Sequence, residues 1–180
     1  MIDLYIDFDG VILDTITTTY DIMKQANIDT TDDNNTKIFY KNLDWKYIIE
    51  VTKEINESYS CIRKIMNSKK FNVHILTHVH SLHEIEQKVY AIRKNLGHDV
   101  KIIAVPKGIS KTEMVNPKDA ILIDDFSKNT EQWEEKGGLG IRFNTELEDK
   151  GFLVIDRLDQ ILEYTFEVEN GINKKLSRNS

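Results

Sequence analysis

Ile2-Asp-Leu-Tyr-Ile-Asp-Phe-Asp-Gly10 opens the chain with a strand that ends in paired carboxylates. Ile2, Leu4, Ile6 and Phe8 alternate with residues that are only partly polar, which predicts a buried strand over 2–8. Asp7 and Asp9 stand where the apolar run stops, and Gly10 follows. Ionised carboxylates at the edge of a core are costly unless a cation or hydrogen bonds compensate them. The Asp-x-Asp pair therefore asks for a metal. On an extended strand residues i and i+2 point the same way, so both carboxylates serve one site. The competing reading is a plain turn, since Asp and Gly favour turns.

Working outward, strand-like runs return at 71–77, 100–105, 119–124, 139–143 and 152–155. Helical patterns cover 14–26 and 44–67, the latter broken near Asn56. Ile16, Tyr20, Ile22 and Met23 form the apolar side of the first. Another helix runs from Ser81, with Glu84 as a capping box, to Gly97, its buried face made by Leu82, Ile85, Val89, Ile92 and Leu96. Helices at 128–136 and 157–168 complete the pattern. Residues 27–37 read as a loop, and the polar stretch 170–180 as a loose tail. Alternating strands and helices predict an α/β fold, with an open parallel sheet covered on both faces. Residues 14–70 are too many for one crossover and read as a small helical cap inserted after the first strand. The α/β core then comprises 1–13 and 71–169.

The chain has 180 residues, is 40% hydrophobic and 30% charged, and carries a net charge of -6. That balance fits one soluble domain with an insertion and argues against a nucleic-acid polymer, which usually needs a basic stripe. It leaves room for a small anionic substrate, because a metal reverses the local sign. The single cysteine, Cys61, excludes an internal disulfide and suits a reducing, cytoplasmic setting. No apolar stretch is long enough to span a membrane, and no signal peptide is expected. Oligomeric state is left open.

Four features fall at predicted strand ends: Asp7-Phe8-Asp9-Gly10; Thr77, closing Val73-His74-Ile75-Leu76-Thr77; a lysine after the third strand; and Asp124-Asp125, closing Ala120-Ile121-Leu122-Ile123. Ligands of open α/β sheets bind beyond the carboxyl ends of the strands, so this edge gathers the four. In this order they resemble the four motifs of the haloacid dehalogenase (HAD) superfamily of phosphohydrolases. The cap and the segment from Leu122 to Gly138 resemble its 5'(3')-deoxyribonucleotidase-like branch. The resemblance covers about residues 1–15 and 70–145 and implies a three-layer, Rossmann-like core.

It also implies the chemistry. Asp7 is the expected nucleophile, forming an aspartyl-phosphate. A carboxylate approaching a phosphate dianion at ~3.5 Å meets roughly 9 kcal/mol of repulsion at an effective dielectric of ~20. Mg²⁺ held by Asp7, Asp9, Asp124 and Asp125 would offset it, since hard oxygen ligands suit that ion. Asp9, giving the metal its main-chain carbonyl, is the expected general acid and base. Thr77 is expected to hydrogen-bond the phosphate and a lysine to neutralise it. Lys111 is preferred for that lysine because Lys111-Thr112 precedes the run into Asp124 with a spacing that resembles the family's, with Lys107 as the alternative.

His78, His80 and His83 lack the usual spacing of a zinc site and read as loop residues, with His78 expected near the substrate. Phe39, Tyr40, Trp45, Tyr47 and Tyr59 are candidates for stacking on a base, set against a packing role. Trp133 is expected to pack its helix on the sheet. The leading expectation is a Mg²⁺-dependent phosphomonoesterase acting on a nucleoside monophosphate. The alternatives are a phosphatase for another small metabolite such as a sugar phosphate, a phosphoacceptor module, and a non-catalytic binding protein.

Overall fold

The computed structural model describes residues 1–144, 146, 153–169 and 172–178. Six parallel strands form one sheet: β1 (Ile2–Ile6), β2 (Phe71–Val79), β3 (Lys101–Pro106), β4 (Ile121–Asp124), β5 (Leu139–Phe143) and β6 (Val154–Ile155). Their order is β3-β2-β1-β4-β5-β6. The chain builds outward on one side of β1, then returns to build on the other. The β1–β4 junction is thus the point where strand order reverses, and a crevice opens beyond it. Ile6 lies opposite both Ile75 of β2 and Ile123 of β4, so Asp7, one residue on, emerges beside Asp124.

Side-chain alternation divides the core into two faces. Leu4, Ile6, Val73, Ile75, Ile121 and Ile123 pack beneath α4 (Ser58–Asn67) and α5 (Leu82–Leu96). Tyr5, Leu76, Leu122 and Val105 face the other way, towards α7 (Ser127–Glu135). There Trp133 is fully buried and its indole N–H donates to the Ala120 carbonyl at 3.1 Å. Gly138 lies against that ring, where any Cβ would overlap it. The α/β class and parallel sheet therefore agree with the strand pattern read from sequence.

Three helices precede α4: α1 (Thr15–Gln25), α2 (Asp33–Asn42) and α3 (Trp45–Val51). The break near Asn56 is real, since Asn56 and Glu57 both have positive φ. The expected cap of 14–70 takes in α1 to α4. Tyr59, Cys61, Ile62 and Ile65 of α4 join the sheet's main apolar cluster, so α4 packs on the sheet. The expected loop at 27–37 is helical from Asp33, because the Asp32 carboxylate caps α2 by accepting from the Asn34 and Asn35 amides.

Two helix faces are rotated from expectation. In α1 Thr15, Thr19 and Met23 are buried, while Ile16 and Tyr20 are exposed. In α5 Glu84 and Lys88 point inward with Ala91, Ile92 and Leu96, and Leu82 is 82% exposed. Ser81 caps α5 as expected, but Glu84 accepts from the His80 amide instead of closing a box on Ser81. Both faces turn because polar groups near the strand ends need their partners more than the apolar stripe needs cover.

The expected helix at 157–168 is a short 3₁₀ turn, Leu158–Glu163, succeeded by β7 (Tyr164–Glu169) paired antiparallel with β8 (Ile172–Arg178). Strand therefore replaces the loose tail over 172–178, while residues 170, 171, 179 and 180 lie outside the described residues. The reason is a period of two in Tyr164, Phe166 and Val168; Phe166 packs edge-on against Phe71 at 5.7 Å. Residue 152 of the expected last core strand is also outside the described residues. Among the described residues no helix is long and apolar enough to cross a membrane.

Candidate active site

Asp7 and Asp124 leave adjacent strands side by side, and Lys111 ties them together. Its Nζ lies 2.9 Å from Asp7 Oδ1 and 2.6 Å from Asp124 Oδ2. Lys111 opens the one-turn helix α6 (Lys111–Met114), where Ser110 and Glu113 form a capping box. That box fixes the turn so that a side chain only 1% exposed points at the two carboxylates. Lys107 lies on the exposed rim instead.

Asp124 is fully buried and hydrogen-bonded at both oxygens. It accepts from Lys111, from the Phe126 amide at 2.9 Å and from the Asn129 side-chain amide at 2.9 and 3.1 Å. It is an anchor. Asn129 was not anticipated from the sequence, although its position one turn into α7 after an acidic strand end is a local signal. Asp125 turns to the crevice. Gly10, at φ +69°, makes room for it, since a Cβ there would overlap the Asp125 carboxylate.

Asp7, Asp124 and Asp125 each offer an oxygen within 4.8 Å of the others. Burial pushes Asp7 up to about 6 against the pull of Lys111, with Asp124 and Asp9 adding to the rise. Burial, then the charges of Asp7, Asp124 and Asp9, push Asp125 up to about 7. Three carboxylates facing one ammonium leave a surplus of negative charge that a divalent cation would neutralise. The all-oxygen donor set fits Mg²⁺.

Asp9 behaves differently. Its side chain has partners of its own, one oxygen accepting from Thr15 at 2.7 Å and the other lying 2.5 Å from Lys88 Nζ. Burial works to raise its carboxyl, and Lys88 overrides burial, holding it below the usual range. Thr77, fully buried, accepts from Lys88 at 3.1 Å and lies 3.4 Å from Asp9. Thr15 and Lys88 were missed by sequence reasoning. The i,i+4 pair Glu84–Lys88 was visible, but such pairs usually mark a solvated helix face.

The expected histidine roles divide. His78 Nε2 meets the Ile109 carbonyl at 2.9 Å and pins the 107–110 loop while its ring lines the cavity. His80 bonds Glu84 and stacks on Tyr40 at 4.7 Å. His83 lies 3.9 Å from Asp44, so the three rings do not converge. Among the stacking candidates, Tyr40 and Trp45 line the cavity. Tyr59 is core, and Phe39 and Tyr47 lie off the cavity wall.

The cavity measures about 690 Å³, with Asp7, Asp9 and Asp125 at its floor. Ile16 and Tyr20 from α1 and Ile109 and Phe126 from the core line it, all four exposed, alongside Lys107 and Lys128.

No family model matches the chain, and no curated protein matches it either. Solved structures do. The HAD-hydrolase YfnB from Bacillus subtilis, solved bound to magnesium, superposes with a TM-score of 0.59 at 12% identity, covering 89% of this chain and 96% of that one. β-Phosphoglucomutase from Clostridium difficile gives 0.54 at 16% identity, covering 89% and 93%. D,D-Heptose 1,7-bisphosphate phosphatase from Burkholderia thailandensis gives 0.52 at 14% identity, covering 89% and 96%. The chain has the fold of HAD-superfamily hydrolases. In this HAD-type fold Asp7 and Asp9 come directly after the central strand, and Asp124 and Asp125 close the neighbouring one. Nothing in these likenesses bears on the deoxyribonucleotidase-like branch.

Proposed function

We propose that the chain is a divalent-metal-dependent phosphomonoesterase that passes the phosphoryl group through Asp7, and that its substrate is a nucleoside monophosphate. One observation carries the reading. A buried carboxylate, Asp7, is bridged by Lys111 to a hydrogen-bonded partner, Asp124, while a second carboxylate, Asp9, has its own cation. Two carboxylates set on one strand end, each held by its own lysine, suit two roles.

Both contacts of Asp7 with Phe8 N–H and Lys111 fall on Oδ1, which leaves Oδ2 to attack phosphorus. The Asp7–phosphorus bond forms as the ester P–O bond breaks; the bound phosphate dianion raises the proton affinity of Asp9 against the pull of Lys88, and Asp9 gives its proton to the departing oxygen. Asp9 then takes a proton from the water that attacks the aspartyl-phosphate, freeing phosphate and restoring Asp7. Lys111 lowers the cost of bringing an anion to an anion. A Mg²⁺ held by Asp7, Asp124 and Asp125, with the Asp9 carbonyl, would add charge neutralisation at the phosphoryl oxygens.

The nucleotide reading rests on the cavity. Its volume lies within the ~300–1,000 Å³ typical of small-molecule sites. Tyr20, Tyr40 and Phe126 offer ring surface, and Asn129 and Gln132 offer amides. A sugar phosphate is the second reading, favoured by the two neighbours whose names concern sugar phosphates. A panel of nucleoside 5'- and 3'-monophosphates and sugar phosphates, with and without Mg²⁺, separates them. Faster turnover of sugar phosphates removes the nucleotide assignment. Full activity in Asp7→Asn removes the nucleophile.

A further inference from the structure

Lys88 has no exposed surface, and its Nζ contacts Asp9 Oδ2 at 2.5 Å, Glu84 Oε1 at 2.7 Å, the His78 carbonyl at 3.0 Å and Thr77 Oγ1 at 3.1 Å. An ammonium has three donors, so these acceptors use all of them and none is left for a substrate. Lys88 can act only through a neighbour. The Trp45 ring lies 5.1 Å from Nζ and the Phe8 ring 5.4 Å, which keeps water from the contact.

Glu84 is equally committed. It is 1% exposed, holds Lys88 with one oxygen, and accepts from the His80 amide at 2.7 Å with the other. Burying an ion pair costs several kcal/mol per ion before the Coulomb gain, and apolar residues of similar size usually stabilise a fold as well or better. Ala91, Ile92 and Leu96 already anchor α5, so its packing gives no reason for the pair. The pair's position gives one: Lys88 and Thr15 hold opposite oxygens of Asp9 and fix the plane of its carboxylate.

We propose that Lys88, set in place by Glu84, is a positioning residue that aims the Asp9 carboxyl at the leaving-group oxygen. This rests on the phosphomonoesterase reading. A general acid must come within about 2.6–3.2 Å of the atom it protonates. An untethered Asp9 swings out of line, and a displacement of about 1 Å costs on the order of 10²-fold in rate. The loss appears only where the departing oxygen needs a proton. An alkoxide leaving group needs one as the P–O bond breaks; p-nitrophenolate leaves as a stable anion and does not.

The experiment compares kcat/KM, which covers the steps through leaving-group departure, for p-nitrophenyl phosphate and for an alkyl phosphate. The alkyl ester is a nucleoside 5'-monophosphate or glucose 6-phosphate, whichever wild type hydrolyses faster. Lys88→Met is expected to lose on the order of 10²-fold on the alkyl ester and less than about 5-fold on the aryl ester. The double variant Lys88→Met/Glu84→Gln removes both buried charges together, keeps the fold if the single variant does not, and is expected to show the same selectivity. Equal losses on both esters, or no loss on the alkyl ester, overturn the positioning role. A wild type inactive on both esters with Mg²⁺ overturns the phosphomonoesterase reading itself, and the inference with it.

Discussion

Replacing Lys111 with Met tests whether the site is held by charge. The side chain is 1% exposed and is the cation that joins Asp7 to Asp124. At an effective dielectric of ~20, its contacts of 2.9 and 2.6 Å each carry roughly 6 kcal/mol of attraction. Most of that offsets the desolvation of three buried ions, and removing one partner of such a pair costs about 3–5 kcal/mol. For a chain of this size, about 2–4 °C per kcal/mol gives a fall in melting temperature of about 6–20 °C. Thermal unfolding in a chelator checks this. Because the loss comes from unpaired carboxylates, Lys111→Met/Asp124→Asn is expected to be more stable than Lys111→Met, and Mg²⁺ is expected to raise the melting temperature of the single variant more than that of wild type. A single variant that loses less than about 1 kcal/mol, or a double variant in which the two losses simply add, refutes the charge argument.

The raised values of Asp7, about 6, and Asp125, about 7, give a pH dependence. The folded metal-free protein binds more protons than the unfolded chain, so these two groups favour folding at low pH, and that advantage is lost as pH rises through their folded values. Melting temperature without metal is expected to fall between about pH 5 and pH 8, and the stabilisation by Mg²⁺ to grow over the same range; a flat Mg²⁺ increment counts against these carboxylates as ligands. Gly10→Ala, strained at φ +69° and overlapping Asp125, is expected to cost about 1–2 kcal/mol and to raise the Mg²⁺ concentration for half-maximal activity. Unchanged metal dependence there removes Asp125 from the ligand set. Phe126→Ala is expected to raise KM for nucleoside monophosphates several-fold with little change for p-nitrophenyl phosphate; equal effects on both remove the ring from the leaving-group wall.

The strands were legible because their signal is local. Buried runs such as Val73–Leu76 and Ala120–Ile123 end in polar residues at the one edge where a parallel sheet can place a ligand. Helix faces were less legible. Leu82 and Tyr20 count as apolar in any stripe, yet both are exposed, because α5 and α1 turn Lys88 and Thr15 towards Asp9. The closing hairpin was missed because its residues are polar on average, and the alternation of Tyr164, Phe166 and Val168 is short.

By itself the sequence determined the six strands of the sheet and the acidic strand ends, and it favoured Lys111 over Lys107 as the lysine to serve them. These depend on hydrophobic periodicity and on residue types that cannot be buried without partners. Tertiary structure alone decided which partners they have. Lys88 lies 79 positions from Asp9 and Lys111 lies 13 from Asp124, and ion pairs at such separations form only when strand order and helix rotation bring them together. The sheet made one cluster from Asp7, Asp124 and Asp125, and α5 supplied Asp9 with a cation of its own, because a buried carboxylate is costly without one.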